Sequence, residues 1–245
     1  PLFMVFPSTS SPISLSLSSS FFGLSIGQLF YGPLFVRFGR TRPLYIGLVV
    51  YLLASIGCAL CTTADSLIAT RFLQALGGCV GLVAGRAMVR DLFPVEENAK
   101  IFSSLMLVVA VSPIIAPTLG GYVTAAFGWQ WIFIILASIA AFTLAAVYFA
   151  LPESKVPDTS ISLLPKPIIK SFAQIAKVPQ FYTYAFTGSI AAAGLYAYIA
   201  GSPHVFMEIY KVSEKQYGWI FATIAAGLIG ASQVNTVMLK RFTSE

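Results

Sequence analysis

Charged side chains are scarce. Lys and Arg number 15 and Asp and Glu 9 among 245 residues, 10% in all. A soluble domain carries roughly 25%. With 57% hydrophobic residues and a mean hydropathy of +0.83, the soluble-enzyme classes drop out and a polytopic membrane protein remains. Histidine occurs once, as His204, and no Asp or Glu falls inside a long apolar run. Neither a set of metal ligands nor a nucleophile–base pair can be built within the spans, so the chain reads as no enzyme, with no metal or cofactor. Cysteine is limited to Cys58, Cys61 and Cys79, all within apolar runs. Cys58-x-x-Cys61 has redox spacing but no βαβ surroundings. These cysteines read as small apolar helix residues. Neither an initiator Met nor a basic, cleavable leader opens the chain, and the expectation is that both ends are cut.

What is present is a series of apolar runs of about 20 residues, the length of a bilayer-spanning helix. They cover roughly residues 14–36, 43–61, 67–89, 101–125, 131–151, 180–202 and 218–239. Residues 1–13, broken by Pro1, Pro7 and Pro12, read as the tail of a span plus a loop. Between the first two spans lies Gly32-Pro-Leu-Phe-Val-Arg-Phe-Gly-Arg-Thr-Arg-Pro43, with Arg37, Arg40 and Arg42. A short arginine-rich turn belongs on the cytoplasmic side. Loops on that side then hold Arg37, Arg40, Arg42, Arg90, Lys100, Lys155, Lys166, Lys170, Lys177, Lys240 and Arg241, and the other side holds only Lys211 and Lys215. The net charge of +6 is therefore a topology signal rather than a nucleic-acid surface.

Small residues mark helix contacts. Gly23 and Gly27 share a face and allow close backbone approach. The third span carries Arg71, Gln74, Gly78, Gly81 and Gly85 along one stripe, and Gly77, Gly81 and Gly85 at four-residue spacing. Asp65 or Ser66 can cap it. The fourth has a small ridge, Ser112, Ala116 and Gly120, and is interrupted by Pro113 and Pro117, so a bend is expected. Residues 152–179 form a proline- and lysine-rich loop, within which 168–176 reads as an amphipathic surface helix.

Three stretches carry a resemblance. Gly27-Gln-Leu-Phe-Tyr-Gly-Pro-Leu with Arg37-Phe-Gly-Arg40, Arg71-Phe-Leu-Gln-Ala-Leu-Gly77 continuing to Ala84-Gly-Arg-Ala-Met-Val-Arg-Asp91, and Ser112-Pro-Ile-Ile-Ala-Pro-Thr-Leu-Gly-Gly121 stand in order on the right spans. The pattern resembles the major facilitator superfamily, and more closely its bicyclomycin-resistance (Bcr/CflA) branch of drug:proton antiporters. The resemblance implies an all-α membrane protein of partial major facilitator fold, its seven spans equivalent to family helices two to eight. Residues 1–151 would be the N-terminal half without its first helix, 152–179 the cytoplasmic central loop, and 180–245 the start of the C-terminal half. It further implies multidrug efflux by proton antiport across a bacterial inner membrane, with protons, a small amphipathic drug and lipid as partners and a monomer when complete. The family's loop has an aspartate where Val36 stands, which leaves a second reading open: a non-functional fragment of such a transporter.

The resemblance also distributes roles. Arg71, with Gln74, would tune a proton-carrying carboxylate, one that in this branch lies on family helix one; snorkelling of Arg71 to the interface is the competing reading. Gly32, Arg37, Gly39, Arg40, Arg86, Arg90 and Asp91 would form the cytoplasmic gate, against a reading of Arg86, Arg90 and Asp91 as helix-end charges. Pro113, Ala116, Pro117, Gly120 and Gly121 would form the antiporter motif, or ordinary small-residue packing. Tyr184, Tyr196, Tyr198 and Asn235 are candidates for a drug cavity, the tyrosines otherwise facing lipid. The threading is open to a direct check: on intact cells an impermeant amine reagent should label Lys211 and spare Lys166, and the opposite pattern would invert the topology.

Overall fold

The computed structural model describes residues 11–158, 160, 163–213 and most positions from 216 to 234. Among the described residues there is no strand. The helices are α1 (Ser11–Arg37), α2 (Thr41–Leu60), α3 (Ala64–Leu92), α4 (Val95–Phe127), α5 (Gln130–Ala150), α6 (Pro165–Ile175) and α7 (Pro179–Pro203), the last running into a π-helical turn at His204–Ile209. The chain is helical again from residue 216. By length and apolar composition, α2, α3 and α5 qualify as membrane-crossing helices among the described residues. At 27 residues α1 is about 40 Å long, enough to cross as well.

The first six expected spans are helices, with boundaries that move by a few residues; the seventh is helical where it is described, and its end lies outside the described residues. The first is already helical at Ser11. The third begins at Ala64, so its cap is Thr63, whose hydroxyl accepts the Ser66 N–H at 3.3 Å. Asp65 and Ser66, the expected caps, lie inside the first turn. The surface helix α6 starts with Pro165 at its first position. Its Ile169, Phe172 and Ile175 are exposed beside exposed Lys166 and Lys170, as a helix lying on a membrane surface requires.

The packing is centred on α3, with α1 and α2 both laid against it and α5 packed outside α2. Glycine sets these distances. A Cβ on Gly23 would sit 2.7 Å from the Phe72 carbonyl oxygen, and one on Gly27 would overlap the Cys79 sulfur. A Cβ on Gly77 would lie 2.6 Å from the Tyr51 nitrogen and 2.7 Å from the Gly47 oxygen. By contrast Gly81 and Gly85 have nothing within 4 Å among the described residues. Among those residues the four-residue glycine repeat is in contact at Gly77.

Two clusters form the interior. One lies toward the arginine turn and holds Tyr31, Phe35, Leu44, Cys79, Val80 and Met88. The other, at the opposite end, holds Cys58, Leu67, Trp129 and Phe133. Cys58 and Cys79 are fully buried and all three thiols are unpaired, in line with their reading as packing residues. Most remaining large apolar side chains face outward, Phe142 and Phe149 among them. That is the surface of a protein whose solvent is lipid.

The glycine contacts generate a paired test. Gly77→Leu forces a side chain into backbone and should cost about 1–3 kcal/mol or more, read as a lower unfolding temperature in detergent. Gly81→Leu meets open space and should leave that temperature unchanged within error.

Candidate functional site

The arginine turn is the most highly connected polar region. α1 ends at Arg37, and Gly39 adopts φ +81°, a left-handed conformation that glycine adopts without strain. The turn presents the first backbone N–H groups of α2, which have no intrahelical partner. Glu153, three residues past the end of α5, supplies the acceptor. Its Oε1 takes the Arg40 N–H at 2.6 Å, and its Oε2 takes the Thr41 N–H at 3.1 Å together with the Thr41 hydroxyl. A Cβ on Gly39 would lie 2.7 Å from the same carboxylate and would displace it, while the positive φ is what favours glycine. The carboxylate also meets the positive end of the α2 dipole.

The side chain of Arg40 reaches the other way, to α3. Its Nε donates to Asp91 Oδ2 at 2.7 Å and its Nη2 to Oδ1 at 3.3 Å, a two-pronged ion pair with side chains only 10% and 20% exposed. The Ser154 hydroxyl adds a long contact to Asp91 at 3.5 Å. The Val36 carbonyl accepts the Asp158 N–H at 3.2 Å, tying the same turn to the segment after α5. Hydrogen bonding from Arg40 holds the Asp91 carboxyl below its ordinary value against the opposing effect of burial, with help from the Arg40 and Lys155 charges. Burial pushes Glu153 up, but its hydrogen bonds from Thr41 and Arg40 outweigh it and the net shift is downward.

A cavity of about 430 Å³ opens beside the ion pair between α1 and α3, lined by Gln28, Gly32, Phe35, Arg40, Arg86 and Arg90 among others. The structure thus gathers Gly32, Arg40, Arg86, Arg90 and Asp91 from the expected gate set. Arg37 is elsewhere, its guanidinium 5.7 Å from the Phe38 ring centroid. Gly39 acts through the backbone.

Arg71 occupies a second polar site. It sits seven residues into α3, about 10 Å from the helix start. Its Nη1 donates to Gln74 Oε1 at 3.1 Å. Gln74, 3% exposed, donates to the Ser55 hydroxyl on α2 at 2.8 Å, and Ser55 donates to the Tyr51 carbonyl at 2.7 Å. The guanidinium lies 5.6 Å from the Phe133 ring centroid on α5, within cation–π range. Arg71 is therefore held by α3, α2 and α5 together, which the snorkelling reading does not require.

The other expected residues are not assembled. Ser112 and Ala116 are exposed, and Gly120 and Gly121 have nothing within 4 Å among the described residues. The α4 backbone is helical through Pro113 and Pro117, whose side chains lie outside the described residues. Tyr184 is 78% exposed, Tyr196 packs on Phe21 at 4.8 Å, and Tyr198 stacks on Phe221 at 5.9 Å. None of the three lines the 430 Å³ cavity. Asn235 lies outside the described residues.

Sequence reasoning missed Glu153, Ser55 and Phe133. Glu153 was signalled by its place: an acid just past the fifth span, on the side where the α2 N-terminus emerges. Ser55 and Phe133 carried no signal, because serine and phenylalanine are ordinary in apolar helices.

The fold, the turn and the intramembrane arginine together define a polytopic transporter scaffold. The chain belongs to the Major Facilitator Superfamily, whose family profile matches residues 4–244, and so to a family of transporters rather than to an enzyme class. It is 34% identical over 91% of its length to an MFS-type transporter, YdgK, of Bacillus subtilis, covering 56% of that protein. It is 30% identical over 94% of its length to a bicyclomycin resistance protein homologue of Haemophilus influenzae, covering 58% of it. A chloramphenicol resistance protein of Pseudomonas aeruginosa is 30% identical over 90% of the chain and 52% of its own length. These relatives accord with the bicyclomycin-resistance branch. The chain spans about half the length of the relatives it matches.

The two depressed carboxyls set a pH dependence. Below the unfolded pKa of about 4 the unfolded state binds more protons than the folded one, so stability is lost as pH falls through the folded values. Thermal unfolding in detergent should show a steepening loss below about pH 4, and Asp91→Asn should flatten that slope while costing about 1–3 kcal/mol at neutral pH.

Proposed function

We propose that this chain is part of an exporter that carries small amphipathic drugs out across a bacterial inner membrane in exchange for protons. The observation that carries the reading is Arg71, a cation inside a membrane helix, buttressed by Gln74, Ser55 and Phe133. An intramembrane ionisable side chain is costly and is tied by default to ion or substrate movement. The resistance proteins among the relatives supply the substrate class. In this reading residues 1–151 belong to the N-terminal half, 152–179 to the central loop and 180–245 to the second half, and the working unit is a monomer.

The chemistry follows from charge. A fixed guanidinium lowers the pKa of a nearby carboxyl by about 1–3 units. A carboxyl brought near Arg71 in one state would release its proton, and moved away in the other would take one up. A drug bound at the midplane, between halves that rock about it, would then move against the proton. At the far end of α3, the Arg40–Asp91 pair and the Glu153 cap would close the cytoplasmic mouth in one state and part in the other. The exposed ridge of Ser112, Ala116 and Gly120 on α4, with Pro113, Pro117 and Gly121, would meet a neighbouring helix as the inner cavity closes.

A second reading, an inactive partial transporter, is favoured by Val36, which stands where the family loop carries an acid. The two separate in proteoliposomes containing this chain, alone and joined to the remaining helices of the Haemophilus influenzae relative. An imposed pH gradient should drive efflux of an amphipathic dye, and Arg71→Ala should move the pH midpoint of transport up by about 1–3 units. Flux independent of the gradient would exclude proton coupling. Flux gained only on Val36→Asp would favour the inactive reading.

A further inference from the structure

α1 and α2 both press on α3 but hardly on each other. The result is a groove of about 580 Å³ between them, floored by Phe72 and Leu76 of α3 and walled by Phe30 and Leu34 on α1 and Ile46 on α2. It lies on a different face of α1 from the polar cavity that Gln28, Gly32 and Phe35 line. Phe30 is 65% and Ile46 64% exposed, so the groove opens on the outer surface of the described helices. Its walls are apolar along their length, with one charged residue, Arg42, next to Pro43 at the turn end.

Arg42 is unlike the other cations of that turn. Arg40 is committed to Asp91, and Arg37 lies over Phe38. Arg42 is exposed and makes no hydrogen bond or ion pair among the described residues. A dry slot of spanning direction with an unneutralised guanidinium at headgroup level is complementary to one kind of molecule, an amphiphile with an anionic head and a hydrocarbon tail.

The geometry points to a binding site for an anionic phospholipid of the leaflet that bears the arginine turn, its phosphate on Arg42 and one acyl chain in the groove between α1 and α2. The volume is in the range of small-ligand sites. The chain's own fold makes the site, so it does not depend on the transport reading. Occupied, it would fill the space that α1 and α2 leave unfilled beside the arginine turn.

Native mass spectrometry of the 245-residue chain in detergent micelles tests this, with dioleoylphosphatidylglycerol, dioleoylphosphatidylcholine and inorganic phosphate titrated separately. Phosphatidylglycerol should bind saturably and more tightly than phosphatidylcholine. Arg42→Ala should weaken it about fivefold, the worth of one basic residue at an anionic surface, and Arg42→Lys should retain it. Ile46→Trp, which narrows the groove and leaves Arg42 in place, should weaken both lipids; circular dichroism would show that each variant remains helical. Equal binding of the two lipids with no effect of Arg42→Ala would overturn the proposal. So would phosphatidylglycerol binding that Ile46→Trp leaves untouched, or that inorganic phosphate displaces completely, since either would mean a free-anion contact without the acyl chain.

Discussion

The carboxylate of Glu153 seated on the first turn of α2 is the contact on which the rest of the arrangement depends. A helix that begins at a membrane boundary has N–H groups that neither lipid nor its own carbonyls can satisfy. Glu153 satisfies those of Arg40 and Thr41 from the segment that follows α5. In doing so it joins the end of α5 to the start of α2, while the Arg40 side chain joins that same turn to the end of α3. Three helix ends are thereby held at one point by charge-assisted hydrogen bonds, which are roughly twice as strong as neutral ones. The polarity is economical. One arginine donates its backbone N–H to one acid and its side chain to another.

Elsewhere the helices are held by close approach rather than by polar bonds. Between apolar helices in lipid there is little hydrophobic drive, so contact distance decides. Gly23, Gly27 and Gly77 bring α1 and α2 onto α3 at distances a methyl group would not allow. The same economy explains where packing stops. Gly81 and Gly85 have no close neighbour among the described residues, and α1 and α2 diverge over an apolar groove. A scaffold with one hub helix and glycine contacts along part of its length is tight near the hub and open at its flanks, where ligands and other helices can approach.

The sequence made the helices legible because the relevant signal is one-dimensional: run length, apolar content and the side on which lysine and arginine collect. Helix existence and order follow from these. So does the close packing of Gly23, Gly27 and Gly77. The limits were three-dimensional. That Arg40 rather than Arg37 meets Asp91 depends on the rotation of α1 and α2 and on the left-handed Gly39, and nothing in the spacing of three arginines distinguishes them. Glu153 acts across more than a hundred residues of sequence. The glycine repeat at 77, 81 and 85 looked uniform, yet among the described residues Gly77 alone of the three has a close neighbour, because helices that cross at an angle touch over a limited length.

The two polar sites differ in a way that bears on mechanism. The turn matches the Arg40 side chain with Asp91 and caps the start of α2 with Glu153, so each of these polar groups has a partner of its own. Arg71 is different. Among the described residues its neighbours Gln74, Ser55 and Phe133 are all neutral, so its charge is positioned without being neutralised by any of them. A buried ion pair would hold a state fixed, because parting it leaves an uncompensated charge. A guanidinium supported by an amide, a hydroxyl and an aromatic face instead keeps its field available to whatever carboxylate approaches. A site that must respond to a proton needs that field, and one that must only hold helices together does not. Along α3, then, one arginine is matched by an acid near the C-terminal end, and the other, near the N-terminal end, has only neutral partners among the described residues.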